Sequence, residues 1–444
     1  MRLRSFAVAS SLAFLLFSAR AAHADPGSEG EPGADAAPGP AAPEPAPAAP
    51  APAPPAPAPP APAPLEPVQA PEAKPEAATD TLKVTPTGYV EAFYAYNFNE
   101  PSNGVTNYRG FDNRHNTFSL SNAALGATAE YGPVSAKVML QIGSTPASYY
   151  SAEPGLAGAG GANASTPELW RYLQEAYLGY KAPVGRGLLV QAGLFASPIG
   201  MEMLAVKDHW TWSRSNLFFG LPYYHAGARA TYELTDELSV TLAVFNGWNS
   251  VVDNNDGKSV QTNLTYKAGE TALLNVLYFG GPERAAGAPE GPAWRHDWDV
   301  VGQLQMTPWL SGALQINAGF EETRWGTAGW YAGAIAARVR AAKWLYFVAR
   351  GDRFHEALAR EKTGARRVSA PIFWAGAEWV SEGTFTVDLR PHDNVSFRIE
   401  LRHDEAEAPL YFRGNVQGDG SSAAPFVPNA RAQNTLLVGA TAWF

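Results

Sequence analysis

The last twelve residues, Gln433 to Phe444, restrict this chain more than any other stretch. Leu436, Val438, Ala440, Ala442 and Phe444 are apolar at period two, while Thr435, Gly439 and Thr441 fall on the other face. Successive side chains of a strand point to opposite faces, so such a segment shows apolar surroundings on one side and water on the other. The pattern recurs in residues 394–403, where Val395, Phe397, Ile399 and Leu401 alternate with Ser396, Arg398, Glu400 and Arg402. No apolar stretch reaches the roughly 20 residues that a membrane-spanning helix needs. Strands can cross a bilayer only when closed into a barrel, because no backbone group may be left unpaired in lipid.

The alternation predicts sixteen strands, near 87–97, 117–131, 134–142, 170–181, 188–196, 225–234, 238–248, 259–268, 271–280, 296–306, 309–320, 328–340, 343–354, 382–391, 394–403 and 433–444. Short links such as Gly132-Pro133, Ala268-Gly269 and Thr307-Pro308 alternate with long ones such as 143–169, 197–224 and 404–432. A soluble sandwich has no reason to sort its loops, whereas an outer-membrane barrel has short periplasmic turns on one rim and long external loops on the other. The expected fold is therefore all-β: a closed, transmembrane antiparallel barrel of about sixteen strands over residues 86–444. An even count leaves both chain ends on the periplasmic rim.

A barrel of that size encloses more space than its own side chains fill. The polar phase carries Glu91, Lys137, Arg171, Glu175, Arg229, Glu233, Asp299, Arg338, Arg340, Asp388, Arg390, Arg398, Glu400 and Arg402. So many buried charges demand either a wet lumen or tight pairing along the wall. Arg338, Arg340, Arg390, Arg398 and Arg402 outnumber Asp388 and Glu400 on the late strands, which predicts a basic stripe on the inner wall.

The first 24 residues carry Arg2 and Arg4, an apolar run from Phe6 to Phe17 and then Ala22-His23-Ala24, the pattern of a cleaved secretory signal peptide. Residues 25–80 are mostly Ala, Pro, Gly and Glu, a composition that buries no core and reads as a disordered spacer between barrel and leader. The chain has no cysteine, which excludes disulfides and thiolate metal sites. A formal charge of -9 argues against a nucleic-acid partner.

The third long link is too rich in Trp210, Trp212, Phe218 and Phe219 to be a solvated tip. Burial against the inner wall would make Glu202, Lys207, Asp208 and Arg214 constriction candidates, while packing on outer neighbours stays open as the alternative. Gly193, Pro198, Gly200, Glu202, Ser213-Arg214-Ser215, Pro222, Gly227 and Arg229 match a G-x-F-x-x-P-x-G-x-E…S-R-S…P…G-x-R pattern. In this the chain resembles the β-barrel porin-2 family of bacterial outer-membrane porins, and Thr384–Asp404 resembles it too. The resemblance covers roughly residues 86–444 and implies a water-filled channel for small hydrophilic solutes or ions, with no cofactor. It also implies an outer-membrane location, and a last strand ending on Phe444 resembles the signal read by the barrel assembly machinery. Outer-membrane lipid is the expected surrounding; a homotrimer and cell-wall contact through the spacer are left open. An adhesive or structural barrel acting through its long loops is the alternative.

Catalytic and metal patterns are poor. His209 and His225 lack helical metal spacing, and Ser213 near His209 is a weak start for a hydrolase. Asp253-Asn254-Asn255-Asp256-Gly257 lacks the glutamate that closes a calcium loop.

Overall fold

The computed structural model describes residues 81–155, 165–357, 371–374 and 377–444. The expected leader and spacer, residues 1–24 and 25–80, lie outside the described residues.

Sixteen strands form one closed antiparallel barrel in which each pairs with its sequence neighbours and β1 closes on β16. They are β1 Lys83–Asn97, β2 Thr117–Tyr131, β3 Val134–Ile142, β4 Leu173–Ala182, β5 Leu188–Ala196, β6 Tyr224–Glu233, β7 Leu238–Phe245 and β8 Ser259–Ala268. The second half comprises β9 Ala272–Pro282, β10 Trp294–Thr307, β11 Leu310–Thr323, β12 Gly326–Ala342, β13 Leu345–Ala357, β14 Trp379–His392, β15 Val395–Ala406 and β16 Ala432–Trp443. All sixteen expected strands are present, most within three residues of their predicted ends. β1 runs further than expected, through Pro86 to Lys83, because there it pairs with β2 alone and β16 joins only from Tyr89 onward. Several of the short turns bend at residues that must take positive φ, as at Gly132 (54°) and Gly269 (56°).

The period-two pattern becomes two surfaces. In β15 every second residue from Ser396 to Ala406 is buried and points inward, while Phe397, Ile399 and Leu401 are exposed. An exposed apolar band without a covering layer is what lipid requires. Tyr131, Trp309 and Trp344 stand exposed at the short-turn rim, and Trp294, Trp298 and Tyr331 at the opposite level, as the two aromatic girdles of a barrel in a bilayer. Phe444 completes the seam: its N–H donates to the Gly88 carbonyl at 3.0 Å, and Gly88 N–H donates back at 3.3 Å.

The long-loop rim does not stay outside the barrel. The loop after β1, L1 (98–116), buries Phe111, Arg109 and Asp112, and the loop after β3, L2 (143–172), buries Tyr149 and Tyr150 at the end of a short helix, α1 Thr145–Tyr149. The loop after β5, L3 (197–223), is buried along almost its whole length.

A constriction loop docked on a charged wall

A loop without regular structure leaves its backbone N–H and C=O groups unpaired, and burial then carries a penalty unless something else bonds them. In L3 that role falls to charged side chains of the barrel wall. Arg398 on β15 donates to the carbonyls of Val206 (3.0 Å), His209 (2.8 Å) and Thr211 (2.7 Å). One strand step away, the Glu400 carboxylate accepts from the N–H groups of Trp212 (2.6 Å) and Ser213 (3.0 Å). Arg402 reaches the Arg214 carbonyl and the Ser213 hydroxyl. Three alternate residues of β15 thus read three consecutive parts of L3, because the 2.0 period of a strand aims them all at one face.

β13 supplies the second anchor. Arg350 donates to Glu202 Oε1, Thr211 Oγ1 and the Ser213 carbonyl, each at 2.6 Å, and to Glu382 on β14 at 2.8 Å. Glu202 in turn accepts from Ser215 N–H at 2.9 Å, so the Glu202…Ser213-Arg214-Ser215 motif is a closed ring of bonds around one guanidinium. Asp352 accepts from Asn216 N–H (2.6 Å), which begins the short helix α3 Asn216–Phe219. On β1, Glu91 accepts from Val206 N–H at 2.5 Å, and Asp299 on β10 accepts from Gly200 N–H at 3.1 Å. L3 therefore spans the lumen from β10 to β1.

Apolar fit adds to the bonds. Trp212 is fully buried with Phe93, Ala95, Val206 and Leu437, and it packs against Gly439, where an added Cβ would stand 2.4 Å from the indole ring. Phe218 packs with Phe111 of L1 and Tyr149 and Tyr150 of L2, which joins three loops in one aromatic cluster. Arg214 lies 5.0 Å from the Phe111 ring and caps the Trp212 carbonyl at 3.2 Å.

The expected water-facing stripe is corrected by this arrangement. Asp388, Arg398, Glu400 and Arg402 are no more than 2% exposed, and Glu202 and Arg214 are buried as well. They point inward as the alternation requires, but L3 stands in front of Arg398, Glu400 and Arg402 and takes up their hydrogen-bonding capacity, while Asp388 is bonded by Arg390 and Ser396 of the wall. The acid of the loop and the base of the wall are in direct contact at this level: Glu202 touches Arg350 at 2.6 Å. Lys207 and Asp208 remain at the loop surface, paired to each other at 2.8 Å. Arg338, Arg340 and Arg390 also keep contact with solvent, closer to the short-turn rim. Arg171 falls outside the strands, after a short helix, α2 Pro167–Trp170, within L2.

Arg350, Asp352 and Glu382 did not stand out in the sequence, although all three sit in the inward phase of their strands. Arg109 and Asp404, which pair at 3.4 Å between L1 and β15, carry no signal at all in a single sequence. The hydrolase pair dissolves: Ser213 Oγ accepts from Arg350 and Arg402, both at 3.2 Å, while His209 Nε2 lies 2.9 Å from Met203 N. Burial, with Arg214 and Arg398 nearby, holds the His209 imidazole well below its usual pKa, so it is neutral. His225 is held by Ser197 Oγ (3.1 Å) and the Gly247 carbonyl (3.2 Å), away from a shared metal position with His209.

Two spaces adjoin the loop. A cavity of about 60 Å³ lies between Trp210, Thr211, Gln303, Ala313, Ala336 and Arg350. Toward the short-turn rim, a vestibule of about 390 Å³ is bounded by Trp210, Lys267, Glu270, Gln303, Gln305 and Arg338.

The fold has known counterparts. The outer-membrane-expressed OmpT of Vibrio cholerae superposes with a TM-score of 0.51 at 11% identity, covering 82% of this chain and 98% of that one. A trimer form of in-vitro folded OmpT gives 0.52 at 11%, covering 82% and 100%. The anion-selective porin of Comamonas acidovorans gives 0.50 at 10%, again covering 82% and 100%. At such identities the likeness is one of fold. No curated protein sequence matches the chain. The family model described as "Putative beta-barrel porin-2, OmpL-like" matches residues 83–444, the whole of the barrel including the L3 motif and the Phe444 seam, and the chain belongs to that family of outer-membrane porins.

Proposed function

We propose that this porin is a passive diffusion channel for small hydrophilic solutes or ions, narrowed by L3, that works without a cofactor and performs no covalent chemistry. The observation that carries the reading is the docking of L3: a closed sixteen-strand barrel of a porin family holds a constricting loop against one side of its inner wall. The opposite wall, β3 to β7, keeps Lys137, Glu175, Arg229 and Thr231 partly open to solvent, and the passage runs along that side. Lys207 and Asp208 border it from the loop, and Arg338, Arg340 and Arg390 border its periplasmic end. Arg398, Glu400 and Arg402 act through the loop they hold, and Asp388 through Arg390 and Arg398, which it pairs.

Residues 1–24 serve as a cleaved export signal and 25–80 as a periplasmic spacer able to touch the cell wall. The strand ending at Phe444 engages the assembly machinery. A homotrimer is supported by the trimer form of the similarly folded OmpT. Planar-bilayer recording of the purified barrel tests the function: stepwise conductance is expected, small for a sixteen-strand barrel because the loops fill so much of it. Insertion without conductance would favour the adhesive reading, in which external loops such as L2 and L8 (407–431) bind outside partners.

A further inference from the structure

The inward phase of β12 to β15 carries Arg338, Arg340, Arg350, Arg390, Arg398 and Arg402, and L3 occupies only part of this set. Arg340, Tyr346, Asp388 and Arg398 lie side by side across β12 to β15, in one row of paired residues. On β15, Arg398 of that row bonds to the loop. On β12 and β14 the arginines in and beside the row have no such use. Arg338 has no hydrogen bond or ion pair among the described residues, and its Nε is buried without a partner. Its guanidinium lies over the Tyr346 ring at 4.0 Å, and Arg390 approaches the same ring at 5.5 Å. Asp388 is already divided among Arg390 (2.8 Å), Ser396 (2.6 Å) and Arg398 (3.6 Å). Arg340 and Lys267 are exposed beside this group, and Glu270 on the adjoining turn is the one other acid bounding the vestibule.

A guanidinium held in place by an aromatic ring, with its donors unspent, is an oxyanion receptor awaiting a ligand. Arg338 borders the vestibule of about 390 Å³, and Arg390, its Nε bonded to Asp388, approaches the same ring, so together they set both a charge and a size. We infer that Arg338, Tyr346 and Arg390 form an anion-binding site at the periplasmic mouth, which takes small solutes bearing a carboxylate or phosphate group. This deepens the channel reading and rests on it: the site concentrates anionic solutes at one end of the passage, and Gln303 and Gln305 offer amides to the rest of the solute.

The test uses the intact barrel in planar bilayers with inorganic phosphate as the probe. Wild type should show anion preference in a KCl gradient, and phosphate on the periplasmic side should reduce the chloride current. Arg338→Gln, which breaks no bond, should raise the half-blocking phosphate concentration about tenfold, and Arg338→Gln with Arg390→Gln should abolish the block. A conducting wild type without phosphate block, or equal block in the variants, overturns the site and leaves the porin reading standing. If the wild type does not conduct, the porin reading fails, and the site is decided by ³¹P line broadening of phosphate with the detergent-solubilised barrel. Broadening lost in Arg338→Gln supports it; no broadening in wild type overturns it.

Discussion

The same four strands, β12 to β15, present two sets of arginines to the lumen, and the two sets do different work. The loop-bound set, Arg350, Arg398 and Arg402, is wholly buried and spends its donors on backbone carbonyls, hydroxyls and the carboxylates of Glu202, Glu382 and Asp404. The other set, Arg338, Arg340 and Arg390, touches solvent and, among the described residues, makes a single ion pair, Arg390 with Asp388. Identical chemistry thus becomes a structural clamp where a loop covers it and an electrostatic field where none does. The lesson is that the inward phase of a strand fixes direction, and only the element in front of it fixes role.

Perturbing the clamp should give the largest effect. Arg350→Met removes one guanidinium from Glu202, Glu382, Thr211 and Ser213 together and leaves two buried carboxylates undercompensated, a loss of about 3–5 kcal/mol. Thermal unfolding should show it as a lowered midpoint, and single-channel records as larger, noisier conductance from a loop set free. Gly439→Val tests the apolar half of the same docking. Its side chain would collide with Trp212, with an expected cost of about 1–3 kcal/mol and L3 becoming sensitive to protease.

Arg338→Glu, by contrast, loses only the contact with the Tyr346 ring, about 0.5–1 kcal/mol, while shifting the reversal potential toward cations. An Arg338 variant as unstable as Arg350→Met would erase the distinction between the two sets.

Acidity should loosen the clamp mildly. The His209 pKa is depressed in the folded loop, mainly by burial, so the unfolded chain takes up the proton first as pH falls through about 6.5. The stability this histidine contributes is complete above that pH and declines below it, toward the lower folded value. Conductance noise should therefore rise below about pH 6 in wild type and less so in His209→Gln. Lys207→Ala should do least. Its ion pair with Asp208 is at the surface and is worth about 0.2–1 kcal/mol, so only a slight change in conductance is expected.

The barrel was legible because every lipid-facing strand must repeat the same two-residue code, and sixteen weak copies add to one strong pattern. The inward loop was legible too, since Trp212 and Phe218 had to find burial somewhere. What stands in front of Arg398 was not: its partners Val206 and Thr211 are nearly 200 positions away, at sequence separations of 192 and 187. Gly439 in the last strand gave no hint that it makes room for an indole. Such fits depend on which loop enters and at what depth, and no local periodicity encodes that.

The central claim is that one edge of L3 is sealed against the β13–β15 wall while the other faces water. The chain has no cysteine, so single thiols report on this directly. In the folded barrel, Asp208→Cys should react rapidly with a membrane-impermeant maleimide, and Ser213→Cys should stay unreactive until Arg398 and Arg402 are both replaced by Gln or the barrel is unfolded. Equal, rapid labelling of Ser213→Cys and Asp208→Cys in the otherwise native barrel would contradict the docked loop and return the buried arginines to the open lumen.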